Sequence, residues 1–91
     1  MNSTVFVVDD DVAIRDALVQ LLEAAGLQVE THDGGLAFLG AYQGNRPGCL
    51  LLDMAMPGMT GLEVQAALKA CGADIPILFL TGHGDIPMAV R

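Results

Sequence analysis

The chain has 91 residues, 53% of them hydrophobic and 16% charged, and a net charge of −7 from four basic against eleven acidic residues. That is one small domain with ample core material. Its acidity, with no lysine- or arginine-rich stripe, argues against direct nucleic-acid binding, which needs a basic footprint. No apolar stretch is long enough to span a bilayer, and the opening MNST lacks the basic segment and apolar core of a targeting signal, so no membrane association and a cytoplasmic location are expected.

The first element is TVFVV (4–8), an apolar, partly β-branched run that fits a strand buried on both faces of a parallel sheet. Three carboxylates follow at once, Asp9, Asp10 and Asp11. Ile14, Ala17, Leu18, Leu21, Leu22 and Ala25 then recur at helical spacing and stop at Gly26, a suitable residue just past a helix end. LQVET (27–31) alternates and fits an edge strand. Gly35 to Tyr42 carries a weak helical pattern, penalised by roughly 1 kcal/mol for each glycine inside it. His32 has nothing around it in the sequence and is expected to be an exposed loop residue, as is His83.

CLLL (49–52) is the third strand and ends on Asp53, followed by a Met-Pro-Gly turn. Thr60-Gly-Leu-Glu63 matches a capping box, and Met59 with Val64 has the spacing of a hydrophobic staple. Val64, Ala67, Leu68 and Cys71 continue that helix to Gly72. IPILFL (75–80) is the fourth strand, with Thr81 and Gly82 at its end. Asp85-Ile-Pro-Met-Ala-Val-Arg91 is expected to open a further helix, Asp85 capping it and Pro87 in its first turn. Cys49 and Cys71 have no partner at CxxC or zinc-ligand spacing and are expected to be small core residues in a reducing compartment.

Alternating strands and helices imply a doubly wound parallel α/β sheet, in which ligands bind outside the carboxyl ends of the strands. That rule brings Asp9, Asp10, Asp11, Asp53 and Thr81 to one rim. Two carboxylates ~4 Å apart repel by about 4 kcal/mol at an effective dielectric of ~20, so a hard divalent cation such as Mg²⁺ is the simplest reason for their convergence. The plainer reading of the triplet is a solvated turn in which Asp10 or Asp11 caps the first helix. Asp53, on a fixed strand end, suits a carboxylate nucleophile in aspartyl-phosphate chemistry. Thr81 offers a hydroxyl, and Gly82 leaves room for a phosphoryl group.

VVDDD, DMAMPGMTG and LTGHGD, in this order on a βα frame, together resemble the receiver domain of bacterial two-component response regulators, and LTGHGD before Pro-Met-Ala-Val is similar to the FixJ-like subgroup. The resemblance covers residues 1–91 and implies a CheY-like, flavodoxin-like fold lacking its last strand and helix, as though truncated within the fourth helix. It implies that Asp53 accepts a phosphoryl group from a sensor histidine kinase and that Thr81 is the switch hydroxyl. Mg²⁺ (or Mn²⁺) would be held by Asp10, Asp53 and the backbone carbonyl of Ala55, with Asp9 acting through water; Asp11 lies outside this set. The FixJ-like resemblance further implies a helix-turn-helix DNA-binding output domain in a longer protein. Lys69, on the predicted third helix, does not match the family's phosphoryl-pairing lysine. An open edge on the fourth strand would favour a homodimer, rearranged or swapped.

Two alternatives compete. One is a receiver-like interaction module that works without phosphorylation. The other is a haloacid-dehalogenase-type phosphohydrolase, with Asp9 as nucleophile and Asp11 as acid/base. Ala13, where that family favours Thr or Val, and the lack of room for its later motifs speak against the second.

Overall fold

The computed structural model describes residues 3–42, 44–80 and the backbone of 88–90. The described residues form eight elements, strand and helix alternating as far as β4: β1 (Thr4–Val8), α1 (Val12–Ala24), β2 (Gln28–His32), α2 (Gly35–Ala41), β3 (Gly48–Asp53), α3 (Gly61–Ala70), β4 (Ile77–Leu80) and β5 (Met88–Val90). The sheet order is β2-β1-β3-β4-β5. β1 pairs in parallel with β2 and β3, and β3 in parallel with β4. The chain first winds from β1 outward to β2 and then returns past β1 to β3. With right-handed crossovers this reversal puts α1 on one face and α2 and α3 on the other, and it makes the adjacent carboxyl ends of β1 and β3 the switch point where such sheets bind ligands.

Period-two alternation sorts the strand side chains between the faces. Phe6 and Val8, in register with Leu50 and Leu52, join Ile77 and Phe79 beneath α2 and α3, where Phe38, Met56, Val64 and Leu68 close the core. Phe6, Phe38 and Tyr42 meet as aromatic pairs, with ring centroids 5.6 Å apart for Phe6–Phe38 and 5.2 Å for Phe38–Tyr42. Val7 and Leu51 are buried on the opposite face, yet α1 contributes no buried residue of its own; Ile14 is 43% and Leu21 67% exposed.

The helix termini follow the sequence signals. Thr60 and Glu63 form the full capping box at the start of α3, and α1 and α3 run to the glycines expected to stop them, Gly26 and Gly72, both at positive φ.

Three expectations need correction. Residues 88–90 are a strand, not part of a helix: β5 pairs antiparallel with β4, Phe79 opposite Ala89. An unpaired strand edge is a row of free N–H and C=O groups, whereas a short helix would need several residues fixed before its first bonds form. β5 therefore covers the β4 edge that motivated a swapped homodimer. Cys71 is exposed at the C-cap of α3 and Cys49 is half-buried, so neither is a core residue. His32 is no loop residue either; it ends β2 with its side chain only 13% exposed, bonded to Glu30 and edge-on to Phe38.

Candidate functional site

β1 and β3 run side by side with Val8 opposite Leu52, so the next residue of each strand, Asp9 and Asp53, emerges at the same level of the rim. Carboxylate oxygens of Asp9, Asp10 and Asp53 all lie within 4.8 Å of one another. The sequence-predicted convergence of these acids is thus what the fold produces. Asp9 is buried, Asp10 exposed and Asp53 intermediate, which grades the cluster from the sheet outward to solvent.

Asp9 is held from three directions. Its N–H donates to the carbonyl of His32 (3.2 Å), its side-chain Oδ1 accepts from the Asp11 N–H (2.9 Å), and its own carbonyl accepts from Arg15 Nη1 (2.7 Å). Burial pushes its carboxyl above the ordinary carboxylate range; the Asp11 N–H pulls the other way, and the charges of Asp53, Asp10 and Asp11 add to the rise. A buried acid made costly to ionise by its neighbours is suited to a site that receives positive charge.

Asp53 is positioned by the turn that follows it. Its Oδ1 accepts from the Ala55 N–H at 3.0 Å, and the Met54 N–H bonds the carbonyl of Leu80 at 3.2 Å. The start of α3 closes directly onto this backbone. A Cβ on Gly61 would sit 2.7 Å from the Asp53 carbonyl oxygen and 2.9 Å from Met54 Cα, so only glycine lets the helix approach this closely. Gly58, at φ 82°, makes the turn between them.

Asp11 separates from the cluster. It is the N-cap of α1, its side chain accepting from the Ala13 N–H at 2.8 Å. The capping reading of the triplet therefore holds for Asp11, whose side chain turns to the start of α1, while Asp9 and Asp10 join Asp53 in the cluster. Ala55 is exposed beside Asp53. Thr81 and Gly82 lie outside the described residues, although Leu80, in register with Asp53, brings the chain to this rim just before them. Lys69 lies in the last turn of α3 and is exposed.

Two features escaped the sequence reading. Arg15 reaches the Asp9 carbonyl; the available signal was an arginine one turn into a helix that follows an acidic triplet. Glu30, Arg46 and His32 form a second polar cluster, built on β2 and the loop before β3. Arg46 bonds both Glu30 oxygens, at 2.8 and 3.2 Å, and lies 4.9 Å over the Phe6 ring.

Residues 5–91 match the response regulator receiver domain family. The transcriptional regulatory protein FixJ of Bradyrhizobium diazoefficiens is 46% identical over 87 residues, which covers 96% of this chain and 42% of FixJ. Among solved structures, the response regulator StyR superposes with a TM-score of 0.88 at 52% identity, covering 98% of this chain and 45% of that one. The response regulator TrrA of Thermotoga maritima, solved in complex with Mg(2+)-BeF, gives a TM-score of 0.81 at 30% identity, covering 90% of this chain and 71% of that one. The chain spans about two fifths of the length of the curated relatives it matches.

Proposed function

The chain belongs to the response regulator receiver domain family, and on that premise we propose that it is a phosphoacceptor in which Asp53 takes a phosphoryl group from the phosphohistidine of a sensor kinase. The observation that carries the reading is the meeting of three carboxylates within 4.8 Å at the rim, one of them ending β3 on a fixed backbone.

In the transfer, a carboxylate oxygen of Asp53 attacks phosphorus, the P–N bond to the kinase's histidine breaks, and its electron pair returns to the imidazole. An acyl phosphate is left on Asp53. Oxygen donors alone, two of them on adjacent residues of one loop, suit Mg²⁺ or Mn²⁺ better than softer metals. Asp10, Asp53 and the Ala55 carbonyl would hold the ion and Asp9 would act through water; when bound, the ion neutralises the phosphoryl oxygens. The complex of TrrA with Mg(2+)-BeF supports placing such chemistry on this fold.

Asp9 acts as the buried reserve of negative charge, its carboxylate held in place through its own backbone. Asp53 is kept facing the rim by the Ala55 N–H and the close seat of Gly61. Thr81 is the switch hydroxyl and Gly82 the point of phosphoryl access. The domain is not an enzyme acting on a separate substrate: it promotes only its own phosphorylation and slow dephosphorylation. In a longer protein it switches a helix-turn-helix DNA-binding domain, in the cytoplasm. Among the described residues no helix is long and apolar enough to cross a membrane.

The test is intact-mass spectrometry after incubation with a small-molecule phosphodonor, in Mg²⁺ and in EDTA. A single phosphoryl adduct that needs Mg²⁺ is expected. No adduct in either condition would favour an interaction module that works without phosphorylation.

A further inference from the structure

Arg15 is in an unusual place for a cation. It sits at the amino-terminal end of α1, where the helix dipole disfavours positive charge. Four aspartates, Asp9, Asp10, Asp11 and Asp16, flank it in sequence, yet among the described residues it forms no ion pair. Its guanidinium instead donates to a neutral group, the backbone carbonyl of Asp9, at 2.7 Å, which is short for an N–H···O bond. The other described cations are committed elsewhere: Arg46 to Glu30 on β2, and Lys69 to the last turn of α3.

The consequence falls on Asp9. Its carboxylate is buried among like charges, and repulsion from Asp10 and Asp53 would turn the β1–α1 loop outward. With its N–H on His32 and its carbonyl on Arg15, both polar groups of the Asp9 backbone are anchored, one to β2 and one to α1. Side-chain direction at Asp9 is thereby set before any cation arrives. We infer that Arg15 is a positioning residue for the acidic site, holding the Asp9 backbone so that the three carboxylates present a preformed set of oxygens to a divalent cation. The inference rests on the proposed metal reading of that site.

Charge and position predict opposite signs, which makes the idea testable. If Arg15 acted only as a nearby positive charge, removing it would tighten binding of a divalent cation. If it positions Asp9, removing it weakens binding, as loss of an outer-shell hydrogen bond commonly does by about tenfold or more. Because α1 buries no residue and Gln is a good helix former, Arg15→Gln threatens the fold little.

The experiment is Mg²⁺ titration by calorimetry of the unmodified chain, Arg15→Gln and Arg15→Lys, with melting temperatures recorded in EDTA. The expected result is roughly tenfold weaker Mg²⁺ binding in Arg15→Gln and near-normal affinity in Arg15→Lys, which keeps a charged donor. Unchanged or tighter binding in Arg15→Gln overturns the inference, as does a Lys variant as weak as the Gln variant. If the unmodified chain binds no Mg²⁺, the metal reading itself has failed.

Discussion

Replacing Asp9 by asparagine is expected to stabilise the domain in the absence of metal. The carboxylates of Asp9 and Asp53 lie within 4.8 Å, a separation that costs about 3.5 kcal/mol at an effective dielectric of ~20 and about 0.9 kcal/mol in bulk water. The repulsion between the neighbours Asp9 and Asp10 persists in part in the unfolded chain, so only the long-range pair counts in full. A net gain of about 1.5 kcal/mol follows, equivalent to roughly 6–12 °C in a domain of this size. Asn preserves the oxygen that accepts the Asp11 N–H, and its amide can donate to Asp53 in place of repelling it.

The pH dependence has a definite sign. The native pKa of Asp9 lies above its ordinary value of 3.8, so the native state holds this proton more tightly than the unfolded chain does. Its destabilising effect is absent in acid below that value, grows as pH rises through the window up to the raised native pKa, and is complete above it. Thermal denaturation of both proteins in EDTA, from pH 3.5 upward, should show the two midpoints converging in acid and separating toward neutrality. An Asn variant no more stable than the parent at pH 7.5 would refute the electrostatic account of this cluster.

Mg²⁺ at ten times its dissociation constant should raise the stability of the parent by about 1.4 kcal/mol and leave Asp9→Asn much less affected, read as a shift in melting temperature. Gly61→Ala places a methyl 2.7 Å from the Asp53 carbonyl oxygen; urea denaturation should show a loss of about 1–3 kcal/mol, with weaker Mg²⁺ binding as α3 is pushed off the Asp53 turn. Glu30→Gln tests the opposite linkage. Hydrogen bonds from Arg46 hold the Glu30 carboxyl below its ordinary value of 4.5, so its contribution is complete above that value and disappears as pH falls through the lower native pKa. Urea midpoints of Glu30→Gln and the parent should therefore differ at pH 7 and meet in acid; a gap that persists there would refute the pairing.

The parts of this fold legible in the sequence were those set by local pattern. VFVV, CLLL and ILFL are apolar on both faces because β1, β3 and β4 are covered above and below or lie within the sheet, and such runs have few other uses. Thr60 and Glu63 announce their helix because capping is a matter of four consecutive residues. The acidic site was legible for a related reason: once parallel strands are granted, each acid that follows a strand falls on the same rim.

Pairings set at a distance were not legible. Phe38, on α2, meets His32 only when α2 folds across β2, whereas the other partner, Glu30, stands two residues back on the same strand face and was open to a local reading. Arg46 joins Glu30 across 16 residues, a contact no local pattern encodes. Asp85 and Pro87 are good helix-start residues and point to a helix over Met88–Val90, while the competing force, the free edge of β4, exists only in the assembled sheet. Arg15 is hard to place because its bond goes to a backbone carbonyl, which leaves its position one turn into a helix after an acidic triplet as the sole signal.

The most direct test of the account is to trap and locate the phosphoryl group. After phosphorylation in Mg²⁺, borohydride reduces an acyl phosphate to the alcohol, converting the modified aspartate to homoserine, which peptide mass mapping can place. The account predicts homoserine at position 53 alone and none in Asp53→Asn. Homoserine at position 9 would contradict it and make Asp9 the nucleophile.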